Sequence, residues 1–174
     1  MNKTRKQIES DHNQPFKPPQ LFAWLASVVT ASLVIVTQFL PRGRNPCLRG
    51  TGVFILLLAG IFIFTPFYLL SKHGGAKAGQ TYMQTEKIVD QGFFAITRHP
   101  QYLGYVFLAC GFALLSQHWV VALLAIIGAT LFYFHTVQEE RYCLTQFGEP
   151  YAQYLQRVPR FNILLGVLRS LQGK

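Results

Sequence analysis

The side chains best suited to chemistry lie in two short segments of the sequence. The first, RHP, places Arg98 and His99 directly before a long apolar run. The second, HTVQEE, contains His135 and the adjacent carboxylates Glu139 and Glu140. Guanidinium and imidazole groups donate hydrogen bonds to anions, and carboxylates accept them from cations. Such a set of side chains beside an apolar surface can bind a ligand that has one polar and one apolar end.

Each of these residues also has a simpler explanation. An arginine at the border of an apolar run often extends its charge to lipid headgroups. The helix dipole favours acidic residues at the start of a solvated helix, which would account for Glu139 and Glu140. His135 can be a packing histidine within a span. The residue types alone leave both interpretations open.

Four apolar segments must position these residues: 21–40, 51–70, 101–116 and 119–137. The first two are twenty residues long, about what a hydrocarbon core of roughly 30 Å requires. Only Gln117 and His118 separate the last two segments, which predicts a tight helical hairpin. We therefore predict an all-α integral membrane protein with four transmembrane helices. A polar tail, residues 1–20, precedes the membrane domain, residues 21–174, which ends in a cytoplasmic helical segment.

Composition and charge favour a membrane partner over nucleic acid. Hydrophobic residues make up 51% of the chain and charged residues only 13%, against about 25% charged in soluble domains. The net charge is +9, but the basic residues are spread between the apolar runs, where they orient membrane spans. With four spans, thirteen of the sixteen Lys and Arg residues fall on one side. The positive-inside rule places both termini and both motif segments in the cytoplasm.

This topology has a consequence for the site. It brings Arg98, His135 and Arg160 to the same membrane face. We expect the hairpin of the last two spans to fold Glu139 back over His99, so that a cavity closes at the border of the lipid.

The sequence gives little support to other kinds of site. Cys47, Cys110 and Cys143 are odd in number and far apart, so they indicate neither a disulfide framework nor a zinc site. We predict no bound metal. The spans contain no Lys, Arg, Asp or Glu, which argues against an ion path. The sequence does not indicate an oligomeric state.

An ordered set of motifs carries a resemblance to a known family. The segment EKIVDQGFFAITRHPQYLGY, then a hairpin, then EERYCLTQFGEPYAQYLQRVPRF resembles the isoprenylcysteine carboxyl methyltransferases. These enzymes belong with the phospholipid methyltransferases and use S-adenosylmethionine within a membrane. The resemblance extends over about residues 86–161, whereas residues 1–80 share only their apolar character with the family.

The resemblance implies a cofactor chamber between the RHP segment and the helix after the last span. By analogy with the family, the residues that would line it are Glu86, Lys87, Ile88, Val89, Phe94, His99, Pro100, Gln101, Tyr102 and Glu139. His135 and Glu140 are then the candidates for catalysis. Substrate binding would fall to His135, Arg98 and Arg160.

The chain departs from the family pattern in ways that bear on the substrate. The family often has His where this chain has Glu86, and Tyr where it has Phe94. A family Arg that meets the substrate carboxylate is His135 here. Arginine is always charged and can bind a carboxylate through two hydrogen bonds. The histidine in its place is charged only part of the time near neutral pH. These departures leave the accepting group open between a carboxylate, an amine and a thiol. An amine must also lose a proton to a nearby base.

The resemblance predicts an S-adenosylmethionine-dependent methyltransferase in the membrane. Its partners would be the lipid bilayer and a lipophilic or prenylated substrate, without nucleic acid. One alternative is a sterol-reductase-like enzyme that uses NADPH, because those reductases carry a similar RHPxYxG segment. A second alternative is a four-span scaffold without enzymatic activity.

Overall fold

A computed structural model describes residues 20–74 and 87–172 of the chain. These residues contain no strand, which confirms the all-α prediction. Their elements are α1 (Leu21–Phe39), α2 (Pro46–His73), a 3₁₀ turn (Gly92–Ala95), α3 (Pro100–Ser116), α4 (Trp119–Phe147), α5 (Glu149–Arg157) and α6 (Ile163–Gln172). The polar tail apart from Gln20, and the predicted cofactor residue Glu86, lie outside the described residues.

Three of these helices, α1, α2 and α4, are long and apolar enough to cross a membrane. The predicted span 101–116 forms α3, which is apolar but has only 17 residues. Large apolar side chains on the long helices point away from the protein, as Trp24, Phe64 and Ile126 do. An apolar surface of this extent is typical of contact with lipid.

The helices pack as antiparallel neighbours, with α3 against α2 and α4, and α1 against α4. Gly104 allows the close approach of α3 to α2, since a Cβ there would lie 2.9 Å from the backbone nitrogen of Ile63. Small residues at such crossings let helix backbones pack closely. This packing aligns the start of α3 with the end of α2.

One end of the bundle is closed by the predicted hairpin. Gln117 adopts a left-handed backbone conformation (φ 53°) between α3 and α4. Its side chain donates to the carbonyl of Asn45 at 2.8 Å and accepts from the Asn45 amide at 3.1 Å. The loop before α2 and the turn between α3 and α4 therefore lie at the same end of the molecule.

At the other end, α4 continues for ten residues beyond the predicted span end at Val137. Nothing in its sequence interrupts the helix until Gly148, which has a φ of +61°, and Pro150 in the first turn of α5. Glu139 and Glu140 therefore lie inside α4 and do not begin a separate solvated helix. They share one rigid element with His135.

Candidate active site

The candidate site forms where two loops run side by side at this end of the bundle. The amide of Arg98 donates to the carbonyl of Pro159 at 3.0 Å. The hydroxyl of Thr97, which is fully buried, donates to the carbonyl of Arg160 at 2.6 Å. These bonds hold the TRHP segment before α3 against the VPRF segment after α5.

Helix α5 supports the segment that precedes RHP. Tyr151, Tyr154 and Val158 form a buried cluster, against which Ile88 packs. The hydroxyl of Tyr154 donates to the carbonyl of Phe94 at 2.7 Å. Burial raises the pKa of this hydroxyl, so it stays protonated and remains a donor. The segment FGEPYAQY, residues 147–154, therefore positions the wall of the site through packing and one hydrogen bond.

A buried carboxylate, Glu140, joins the two loops to α4. Arg160 donates to both of its oxygens, with an Nε–Oε1 distance of 2.9 Å. Arg98 Nη1 and His99 Nε2 each lie 3.1 Å from the same Oε1 atom. The hydrogen bond to Glu140 raises the pKa of the Arg160 guanidinium. Both arginines thus share one buried carboxylate, which carries a single negative charge.

The neighbouring carboxylate, Glu139, points to a different place because successive helical residues are about 100° apart. Its Oε2 atom lies 3.7 Å from His99 Nδ1. The imidazole of His99 therefore lies between the two carboxylates. The expected meeting of Glu139 and His99 is present in the structure.

Beside Glu139 there is a cleft of about 110 Å³. Its lining residues are Leu70, Phe94, Arg98, His99, Pro100, Gln101, Tyr102 and Glu139. Six of the ten residues expected to line the cofactor chamber are among them, and Arg98 had been expected to contact substrate. Leu70, at the end of α2, was missed because its apolar sequence gave no signal beyond a membrane span.

Other predicted cofactor residues lie away from this cleft. Val89 is buried and Ile88 packs on α5. Lys87 is exposed, and its amide donates to the carbonyl of Gly74 at 3.3 Å. Glu140 and Arg160 also do not line the cleft, because they are paired behind it.

His135 reaches the cleft only through another side chain. It is 4% exposed, and its Nε2 atom lies 3.0 Å from the Tyr102 hydroxyl. Its Nδ1 atom is buried and has no hydrogen-bond partner among residues 20–74 and 87–172. His135 and Tyr102 therefore form a polar pair that extends from the cleft into the apolar part of the bundle.

Two residues of the cleft carry buried polar atoms that lack a hydrogen-bond partner within the described ranges. They are the donor Nε of Arg98 and the acceptor Oε2 of Glu139. Buried polar groups are rarely left unpaired in proteins. A ligand with both an anionic and a cationic group would satisfy them. Complete small-molecule pockets measure roughly 300–1,000 Å³, so the cleft accommodates the polar end of such a ligand.

A model of the phospholipid methyltransferase family matches residues 48–150, more than half of the chain. This chain belongs to the phospholipid methyltransferase family. The match includes α2, so the relation to the family begins well before residue 86, where the sequence motifs begin. The expectation that residues 48–80 share only apolar character with the family was therefore wrong. Leu70, which lies in this region, lines the cleft.

Two curated relatives are similar over part of this phospholipid methyltransferase family member. The Protein-S-isoprenylcysteine O-methyltransferase of Schizosaccharomyces pombe is 34% identical over 73 residues, which cover 41% of this chain and 31% of the relative. Protein-S-isoprenylcysteine O-methyltransferase B of Arabidopsis thaliana is 31% identical over 74 residues, which cover 42% of this chain and 38% of the relative. The matched region spans about a third of the length of these relatives. No solved structure gave a significant match.

Proposed function

We propose that this chain is a membrane methyltransferase that uses S-adenosylmethionine to methylate a lipophilic acceptor. Membership of the phospholipid methyltransferase family supports the reaction class. The observation that carries the proposal is the cleft at which the RHP segment meets Glu139. Neither the family nor the matched relatives favour a reductase or a scaffold.

The unpartnered atoms of the cleft suit the amino-acid portion of the cofactor. In this proposal the Glu139 carboxylate binds the ammonium group of the cofactor, and Arg98 Nε donates a hydrogen bond to the carboxylate of the cofactor. Pro100 and Tyr102 form the adjoining wall. When bound, the cofactor supplies a methyl group on a sulfonium. The protein aligns the acceptor with that methyl group, and such alignment can supply about 7–11 kcal/mol of the barrier.

The proposed topology has four membrane spans, with α3 as the short one. Its 17 residues are about 26 Å long at ~1.5 Å per residue, close to the roughly 30 Å of a hydrocarbon core. The helix extends from the cleft to the hairpin at the opposite end. The charge distribution supports a cytoplasmic position for both termini and for the cleft. A lipophilic substrate would then keep its apolar part in the bilayer.

We further propose that the acceptor is an amine. Arg160 does not line the cleft, and in this proposal the one unpartnered buried donor of Arg98 in the described ranges, Nε, is taken by the carboxylate of the cofactor, so no arginine at the cleft remains for a carboxylate substrate. An amine that gains a methyl group must release a proton. The His135 imidazole can accept it by way of the Tyr102 hydroxyl, to which it is hydrogen-bonded. Glu140 then positions the site, and His135 acts as the base.

Cofactor titration tests the reaction class. We expect purified protein in lipid nanodiscs to bind S-adenosylmethionine in calorimetry, with no binding of NADPH. Binding of NADPH alone would support the reductase, and binding of neither compound would support the scaffold.

A labelling experiment tests the acceptor. Membranes incubated with methyl-labelled cofactor should yield the label in amine-bearing lipids after separation by headgroup. Label found only in lipophilic acids would refute the amine and leave the methyltransferase assignment in place.

A further inference from the structure

Helix α6 follows the VPRF segment directly and packs on the site through a glycine. The Asn162 side chain caps its first turn by accepting from the amide of Leu165 at 3.0 Å. Gly166 is buried, and a Cβ at this position would collide with the carbonyl group of Ile96. The side of α6 that carries Gly166 therefore faces the protein.

The opposite side of α6 is a stripe of leucines. At about 100° per residue, Leu164, Leu168 and Leu171 lie on the side away from Gly166. They are 80%, 56% and 67% exposed. A helix on the surface of a soluble protein turns its apolar face inward. In α6 the apolar face points outward.

The polar residues of α6 lie on the sides that flank Gly166. Arg169 Nη1 donates to the carbonyl of Gln156 at 3.0 Å, near the end of α5. Arg169 and Ser170 also line a second cleft, of about 510 Å³, between α6 and the segment before RHP. The inward polar groups therefore have partners or space for water, and the outward leucines have no cover from the described part of the chain.

The position of α6 shows which environment can cover the leucines. Phe161, just before the helix, lies 6.4 Å from the ring of Tyr133 between ring centroids. Tyr133 and Phe134 are 46% and 49% exposed on the apolar part of α4. Phe134 in turn lies 5.9 Å from Phe22, at the start of α1. Tyrosine is enriched at the ends of membrane spans, at the border between lipid and water. Tyr133 lies near the end of the apolar segment of α4 and next to Phe161, so α6 begins at that border.

We propose that α6 is an interfacial helix that inserts its leucine stripe into the lipid beside the cleft. Its ten residues reach about 15 Å at ~1.5 Å per residue, too short to cross a bilayer. An amphipathic helix of this kind lies in the interface plane with its apolar face among the acyl chains. Arg157 lies next to the helix and is 66% exposed, and its charge is paired with Asp90 at 3.7 Å between Nη2 and Oδ2. The insertion therefore depends on the leucines.

Helix α6 contacts both the lipid, in this proposal, and the segment before RHP. Gly166 contacts the backbone of Ile96, two residues before Arg98. Lipid contact along α6 would therefore hold the RHP segment at the membrane surface, with the cleft next to the lipid. The inference requires a membrane-embedded chain but does not depend on the reaction or its acceptor.

Spin-label accessibility tests this proposal in the full chain in nanodiscs. Single cysteines replace Leu164, Leu168 or, as the control on the inward side, Ser170, in a background in which the native cysteines are serine. We expect the ratio of collisions with oxygen to collisions with an aqueous nickel chelate to be several-fold higher at Leu164 and Leu168 than at Ser170. If the cysteine-free background does not fold, single tryptophans replace the same three residues. Quenching of their fluorescence by brominated lipids should then be stronger at positions 164 and 168 than at position 170.

Two results would overturn the proposal. Preferential access of the nickel chelate to Leu164 and Leu168 would show that the stripe faces water. Low access of both reagents, with dipolar broadening between labels, would show that a second copy of the chain covers it.

Discussion

Glu139 and Glu140 are adjacent in the chain but have different surroundings. Glu140 is turned toward two arginines and is fully paired inside the protein. Glu139 lies at the cleft and keeps one oxygen without a hydrogen-bond partner among the described residues. A rotation of about 100° between neighbours on a helix thus places one carboxylate among the arginines and the other at the cleft.

Replacing Glu139 by glutamine should weaken cofactor binding without unfolding the protein. A hydrogen bond to a charged group contributes about 1.5–3 kcal/mol, so we expect roughly a 10- to 100-fold loss of affinity for S-adenosylmethionine in calorimetry. The matched control is Glu149→Gln, on an exposed residue of α5. Equal affinity of the Glu139→Gln variant and the parent would refute the role of Glu139.

Replacing Glu140 by glutamine should reduce stability instead. The change leaves Arg98 and Arg160 without their common counter-charge, and removal of one partner of a buried pair costs about 3–5 kcal/mol. We expect a clearly lower midpoint of thermal unfolding in detergent, with Glu149→Gln again as control. If the Glu140→Gln variant had the same unfolding midpoint as the parent but had lost its activity, Glu140 would instead be a catalytic group.

At the scale of elements, the site depends on two loops that are joined by few contacts. Thr97 and Arg98 each make one hydrogen bond to the VPRF segment. Helix α5 supports them from one side through Tyr154, and α6 packs on them through Gly166. Helices α5 and α6 therefore both contact the backbone of residues 94–98, and they support the site through these contacts.

Replacing Gly166 by alanine should displace α6 from the site. The added methyl group would meet the backbone of Ile96, which cannot rotate away as a side chain can. Overpacking of this kind costs about 1–3 kcal/mol, and we expect faster proteolysis within residues 158–172 together with lower stability. The control is Gly60→Ala in α2, where a Cβ would have no neighbour within 4 Å among residues 20–74 and 87–172. Unchanged proteolysis in the Gly166→Ala variant would contradict the close packing of α6.

At the scale of the whole molecule, the helices divide the chain into two ends. One end holds the loop around Asn45 and the turn at Gln117, which are hydrogen-bonded to each other. The other end holds the cleft, α5 and α6. If α1, α2, α3 and α4 all cross the membrane, these two ends lie on opposite sides of it.

Cysteine labelling tests this arrangement. Cys47 is exposed at the hairpin end, so a variant that keeps only this cysteine should react with a membrane-impermeant maleimide added outside right-side-out vesicles. A variant with Glu149→Cys as its one cysteine, at the cleft end, should react only after permeabilisation. Reaction of both variants from outside would contradict the four-span topology and the cytoplasmic location of the cleft.

The sequence by itself determined the class of the protein and the neighbourhood of its site. Apolar length and the distribution of Lys and Arg are local properties, so they indicated the helices and the hairpin without tertiary information. The RHP and EE motifs also indicated the family, because their order along the chain is specific. Most of the residues that line the cleft were predicted in this way.

Only the tertiary structure decided which side chains meet. The orientation of α4 about its own axis directs Glu139 to the cleft and Glu140 to the arginines. Sequence spacing fixes the angle between the two residues but not that orientation. Arg160 was expected at a substrate, and the structure shows its guanidinium bound to Glu140. This contact depends on the pairing of the two loops through the Arg98 amide and the Thr97 hydroxyl, which has no sequence signature. Leu70 entered the site for the same reason: helix packing, which depends on the whole bundle, brings the end of α2 beside the RHP segment.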